Sequence, residues 1–271
     1  MRKKTGLTRY VLGFLCAVLL LAAPAVARAQ AAGEPKPDAR AILLRMAEFL
    51  GKAQRLSVTV RGGYDAVQAS GQKIEWNEVR MASISRPDRL RMEAERDDGV
   101  RTLVIFDGKA VTTFDEVHRA YAQIPQPGSV DDTLIHFVRD LGMRLPFAML
   151  FVSRSPAEFG RRIQSVAYVQ KTGIFGTLAH HIAGRTDTVD FQVWIADGDR
   201  PVPLRVVIVY KTAPGQPQFR GQFSDWNLAA DLPDSLFTFT APADANKIPF
   251  ATAVAAVTPK TKRGSVKKGE K

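Results

Sequence analysis

The chain has 271 residues, 45% of them hydrophobic and 24% charged, enough for one large domain or two small ones with a sizeable core. Its formal charge of +11 gathers at the ends: Arg2, Lys3, Lys4, Arg9 and Arg28 at the start, and Lys260, Lys262, Arg263, Lys267, Lys268 and Lys271 against Glu270 at the finish. About +1 is left on the body, which removes the compositional case for nucleic-acid binding.

Residues 1–29 have the layout of an export leader. A basic n-region is followed by the apolar run Tyr10–Ala25 and by the small-residue site Ala27-Arg28-Ala29, which predicts cleavage near Ala29 and a periplasmic protein. The alternative, an uncleaved anchor, needs about 20 apolar residues, more than this run offers. Cys16, the only cysteine, lies in the apolar run behind Gly13-Phe14-Leu15, which is no lipidation box. The mature chain therefore has neither disulfide nor thiol chemistry, and core burial must hold it together.

Residues 30–37 read as an Ala/Gly/Pro linker. Asp38 stands at an N-cap position, and Ile42, Met46, Phe49, Leu50 and Ala53 follow at helical spacing, predicting a helix that ends near Gly51–Gln54. Strands begin at Leu56, where Leu56, Val58 and Val60 alternate with Ser57, Thr59 and Arg61. Gly62-Gly63 predicts a bulge or bend, and Ala69-Ser70-Gly71 a turn into a strand from Lys73 to Ser85. Ile74 and Trp76 share one parity there while Val79 and Met81 share the other, so a bulge near Asn77-Glu78 is expected.

A meander from Ile84 to Ile124 follows. Leu90, Met92 and Ala94 face one way, and Arg89, Arg91, Glu93 and Glu95 the other. Asp97-Asp98-Gly99 turns the chain. Asp107-Gly108 predicts a two-residue hairpin between Leu103–Phe106 and Lys109–Phe114, and a last strand runs from Val117 to Ile124, stopped by Pro125 and Pro127. One face of such a meander is dry and needs a cover.

A helical insert supplies candidates for it. Ser129 and Asp132 form a capping-box pattern before Val130, Leu134, Phe137, Val138 and Leu141, with Gly142 as C-cap. Pro146 opens the apolar stretch Phe147–Val152, and Ser155-Pro156-Ala157-Glu158 predicts a capped third helix to about Arg161. Strands then resume. Val189, Phe191, Val193 and Ile195 make one face, Leu204, Val206, Ile208 and Tyr210 the next, and Phe219–Trp226 the last strand. Phe237 and Phe239 are placed to tuck under the sheet. Residues 251–271 have the composition of a disordered basic tail, which could also tether the protein to an anionic envelope surface.

The sequence offers little chemistry. His180 and His181 are neighbours on a predicted strand and must face opposite sides, His118 reads as strand, and His136 lies on the amphipathic helix. No HExxH, H-x-x-E-H or C-x-x-C spacing, no phosphate loop and no G-x-S-x-G elbow is present. No metal, cofactor or catalytic group is therefore expected, and the protein reads as a non-enzyme. Asp107 and Asp197 are explained by turns. Arg86, Arg89 and Arg91 read either as an anion-binding edge or as solvated partners of Glu93 and Glu95.

Arg86-Pro87-Asp88-Arg89-Leu90-Arg91 with Phe106-Asp107-Gly108-Lys109 resembles the "RP-x-x-L/F-R … DG-K" core of the periplasmic lipoprotein-carrier (LolA-like) superfamily. It is more closely similar to the predicted periplasmic proteins of domain of unknown function 2092. Phe223–Ala245, "F-S-D-W … L-P-D-x-x-F-x-F … P-x-x-A", extends the resemblance, which spans about Asp38 to Phe250. It implies an α+β domain over residues 38–250, a large curved antiparallel sheet forming an incomplete barrel, covered by the N-terminal helix and the Ser129–Arg161 insert. It also implies a hydrophobic small molecule or lipoprotein acyl chain as ligand. Leu90, Met92, Phe191 and Val193 are then expected to line a cavity, with Phe137, Phe147, Leu150 and Phe151 as its lid. The alternative is a module that binds an envelope protein, as the envelope-stress regulators resembling this superfamily do.

Overall fold

The computed structural model describes residues 37–140 and 145–250. The expected leader, residues 30–36 of the linker, Leu141, Gly142 and the basic tail lie outside the described residues. Asp38 caps α1 (Ala39–Lys52), its Oδ1 accepting the Arg40 and Ala41 N–H groups at 2.9 and 3.1 Å. The buried face carries Leu43, Met46, Ala47 and Leu50. It is rotated from the expected stripe, leaving Ile42 and Phe49 half-buried, because other helices as well as strands pack on α1.

β1 (Arg55–Val67) and β2 (Lys73–Ser85) pair without interruption from Arg55 opposite Ser85 to Val67 opposite Lys73. Neither expected site carries a bulge in this ladder. Leu56, Val58, Val60, Ala82 and Ile84 all point to the core. The same parity turns Glu78 and Arg80 inward, while Val79 and Met81 stay on the outer face, 39% and 51% exposed. Gly62 has a packing role. A Cβ on it would stand 2.9 Å from the ring of Phe219, so its missing side chain lets that ring lie flat on the strand.

β3 (Arg89–Arg96), β4 (Arg101–Phe106), β5 (Ala110–Asp115) and β6 (Ala120–Pro125) complete the first meander. The β4–β5 loop is three residues long, one more than expected, because the Asp107 carboxylate accepts the Lys109 and Ala110 N–H groups and closes a wider turn. Val117 and His118 belong to a turn around the Asp115 carboxylate, not to a strand.

The insert follows: α2 (Val130–Arg139), α3 (Ala148–Phe151) and α4 (Ser155–Arg162). The Ser129–Asp132 box forms reciprocally. The second expected box does not. Arg154 occupies the N-cap of α4 without a side-chain bond, Ser155 is buried inside the helix, and Glu158 turns to Arg161 and Arg162.

β7 (Ser165–Ile174), β8 (Thr177–Arg185), β9 (Val189–Ala196), β10 (Pro203–Tyr210) and β11 (Gln218–Asn227) form the second meander. It ends against β1, so the first and last long strands close the middle of the sheet. There β11 carries a bulge that sequence reading missed: Ser224 faces Thr59 but Asn227 faces Ser57, with Asp225 at φ +57°. The extra residue swings Trp226 to the core side, where it packs on Phe151 and Phe223. A two-residue strand, β12 (Asn246–Lys247), pairs parallel to β6. The twelve strands run β12-β6-β5-β4-β3-β2-β1-β11-β10-β9-β8-β7, and among the described residues the two edge strands do not meet. The product is the expected open, incomplete barrel with helices on one face. Phe239 packs on the other face against Phe114 and Tyr121, over Leu103 and Ile105.

One ion pair fastens the insert to the sheet. Arg86, at the end of β2, bonds the Asp131 carboxylate of α2 at 3.0 Å, and the carbonyls of Ala53 and Phe151 at 3.1 and 2.6 Å. Asp131 in turn accepts the Ser153 N–H and hydroxyl. The two side chains are 8% and 12% exposed, so neither sequence reading of Arg86, solvated charge or anion edge, describes it. Burial pushes the guanidinium pKa below its ordinary value, and Asp131 partly restores it. Arg91 does pair with Glu93, at 2.6 Å.

Four outcomes follow, each read from urea unfolding. Met46→Ala, at a fully buried position, should destabilise by about 2–5 kcal/mol. Met81→Thr on the outer face should stay within about 0.5 kcal/mol of wild type. Arg86→Ala leaves a buried carboxylate without its partner and should lose about 3–5 kcal/mol. Arg86→Met with Asp131→Leu should recover part of that.

Candidate ligand-binding cavity

The helix-covered face of the sheet is not filled throughout. Between the insert, α1 and strands β9 and β10 lies a cavity of about 480 Å³. Leu43 and Met46 of α1 form one wall, and Val193, Val206 and Ile208 form the sheet side. Phe147, Met149 and Leu150, with Phe159 of α4, form the cover. Phe191 lies over Gly184 of the next strand, where a Cβ would stand 2.2 Å from the ring. The mouth is polar, made by Arg162 at the end of α4 and by Thr186, Asp187 and Thr188 of the β8–β9 turn.

The apolar residues named from the sequence divide among three places. Phe147, Leu150, Phe191 and Val193 border this cavity. Leu90, Phe137 and Phe151 are buried core side chains, Phe151 against Trp226, and none of the three borders it. Met92 lines a second, smaller cavity of about 90 Å³ farther along the same face.

The smaller cavity is charged. Glu78 and Arg80 pair there at 2.8 Å, with Arg96 and Tyr64 beside them. Burial raises the Tyr64 hydroxyl above its ordinary pKa, against the pull of Arg96. Pro146 borders both spaces, and Phe147, which borders the larger, packs beside Phe219 and Arg80 of the smaller. The Phe147 ring stands edge-on to Phe219 at 5.0 Å and to Phe223 at 5.6 Å, and the Arg80 guanidinium lies 5.9 Å from its centre. Sequence reading missed this charged wall, although the parity of Ala82 and Ile84, carried back four residues, puts Glu78 and Arg80 on the inner face.

The histidines are engaged separately. His180 lies 2.9 Å from Asp197 and 3.2 Å from the Tyr168 hydroxyl, while His181 stacks on Trp194 and bonds Gln192. A hydrogen bond from Lys171 holds Asp197 below the usual carboxylate range. Among the described residues no three His, Cys, Asp or Glu side chains gather into a metal-holding group. Among them, too, no helix is long and apolar enough to cross a membrane.

Comparison with solved structures finds similar chains at low identity. LprF from Mycobacterium bovis is 16% identical, covering 79% of this chain and 100% of that chain at a TM-score of 0.45. The Pseudomonas aeruginosa MucA/MucB complex gives 19% identity, 75% of this chain and 62% of that chain, at 0.40. A LolA superfamily protein from Nitrosomonas europaea gives 14%, 74% and 97%, at 0.34. All three TM-scores lie below 0.5, and none bears on what this chain binds. No curated protein matches the chain. The family comparison is decisive: residues 39–251 match the predicted periplasmic proteins DUF2092, and the chain belongs to that family.

Proposed function

We propose that this protein is a non-enzymatic periplasmic binding or carrier protein for a hydrophobic ligand, a lipid or acyl chain, free or attached to a lipoprotein. The observation that carries the reading is the 480 Å³ apolar cavity beneath the insert. Close packing leaves few voids larger than a water molecule in an ordinary core, and this volume falls within the range of ligand pockets. Several walls are half-buried, Met149, Phe159, Phe191 and Ile208 among them, as befits surface that a ligand would complete. The leader over 1–29 and the basic tail over 251–271 belong to the same proposal, placing the mature domain in the periplasm and giving it a cationic contact with anionic envelope surfaces.

One observation favours the alternative of a protein-binding module. The β7–β8 hairpin, at the sheet edge, holds Phe175 and Leu178 in solvent at 54% and 57% exposure. The two readings separate by mutation, since replacing both with Ser should leave lipid retention unchanged.

The test of the carrier reading is mass spectrometry of an organic extract from the mature protein, purified gently from a native periplasm. A lipid or fatty acid near one per protein is expected. An empty extract, with no uptake of a fluorescent acyl probe, would overturn it. Phe147→Asp should weaken probe binding at least tenfold while the circular dichroism spectrum is kept; Met149→Asp, at a half-buried wall position, repeats the test should the first variant not fold.

A further inference from the structure

We infer that the cavity is built for a single acyl chain whose head stays outside, so that the ligand is a one-chain amphiphile and not a diacyl lipid. The inference rests on the carrier reading and adds to it the number and orientation of chains. Capacity comes first. An apolar protein cavity of about 150 Å³ accommodates one benzene, or about 25 Å³ per carbon. By that measure 480 Å³ takes roughly 19 carbons, enough for one chain of palmitoyl or stearoyl length. Two such chains hold about twice that number and do not fit.

The far end is closed by chemistry as well as by volume. A chain growing past Phe147 would displace a ring packed on Phe219 and Phe223, and then meet the Glu78–Arg80 pair. Glu78 is 7% exposed. Methylenes pressed against that pair would remove its remaining access to solvent without offering any hydrogen bond in return, which is unfavourable. The smaller cavity beyond, at about 90 Å³, has room for roughly three waters and suits them better than hydrocarbon.

The near end fixes the orientation. Arg162 and Asp187 stand in solvent at the mouth, Arg162 paired with Glu158 at 3.0 Å and Asp187 bonded by Gln164. Thr188 is exposed beside them. Both signs of charge are present, so the mouth accepts a polar head without selecting its charge. The shared chemistry is a single saturated chain carrying any hydrated head, whether a free fatty acid, a lysophospholipid or a singly acylated peptide.

The experiment is a chain-length series on the mature protein, measured by displacement of a fluorescent fatty acid. Saturated fatty acids from C8 to C22, lysophosphatidylglycerol, dipalmitoyl phosphatidylglycerol and an N-palmitoyl peptide are compared. Affinity should tighten about fourfold per added methylene, as burial of a CH₂ predicts, and level off near C16–C18. Lysophosphatidylglycerol should bind one to one and the diacyl lipid at least a hundredfold more weakly. Equal binding of all three one-chain heads would support a mouth that reads no head; selection of one of them would name the source and still support a single chain. Val206→Phe, on the sheet wall, should move the plateau down by about three carbons, a shift that simple destabilisation would not produce; Ile208→Phe serves if that variant does not fold. Diacyl binding as tight as lysolipid binding, or affinity still rising beyond C20, or a plateau unmoved in a folded, filled variant, would overturn the inference and leave the carrier reading standing. Failure of every lipid to displace the probe would overturn both.

Discussion

An antiparallel sheet that does not close leaves one apolar face without a partner sheet, and the rest of this molecule answers that constraint. The chain enters at the middle of the sheet with β1, winds outward to β6, crosses through the helical insert, and winds back from β7 until β11 seals against β1. The crossing must pass over the open face, and it does so as helices whose apolar stripes supply the missing cover. Arg86 holds that cover in register. Its guanidinium reaches the end of α1, the start of α2 and the last carbonyl of α3 together, tying three separate pieces of chain at one buried point.

Coverage by a few short helices differs physically from coverage by a second sheet. Sheets interdigitate along their whole length and leave little space between them. Here α1 and α2 each bury one apolar face, while the four-residue α3 and the short α4 span the remaining gap with Phe147, Met149 and Phe159, and the gap stays open at about 480 Å³. The Phe191 ring fitted over Gly184 shapes one wall, and the Phe219 ring over Gly62 lines the smaller cavity, since a ring can lie flat on a strand only where the neighbouring Cβ is missing. The charged pair lies beyond Phe147, in the smaller cavity. The same inner face thus changes from hydrocarbon to polar within a few residues of β2 and β10.

Much of the fold was legible in local pattern. Period-two alternation placed Leu56–Val60, Leu90–Ala94, Val189–Ile195 and Leu204–Tyr210 with the right faces inward, because a pleated strand buried on one side admits few other patterns. The α1 cap at Asp38 and the Ser129–Asp132 box were legible for the same reason: backbone N–H groups at a helix start need an acceptor within reach. The errors have a common cause as well. Val79 and Met81 were read as core because they are apolar, and a bulge was supposed in order to bring them in. The ladder kept its register, and it was Glu78 and Arg80 that went inside. The actual bulge, at Asp225, left no mark in composition.

By itself the sequence determined the class of the molecule: an α+β domain, an antiparallel meander split by a helical insert, the DUF2092 family resemblance, and no disulfide in the expected mature chain. These are properties of short windows, fixed by periodicity, turn chemistry and charge. Only the tertiary structure decided which apolar residues face a cavity and which fill the core, since Leu90 and Phe191 look alike in a strand but one packs solidly and the other lines open space. It also decided that Arg86 is buried, that Trp226 turns inward, and that a charge pair lines the smaller cavity. Each depends on groups brought together from distant parts of the chain, and an ion pair such as Arg86 with Asp131, 45 residues apart, has no local signature.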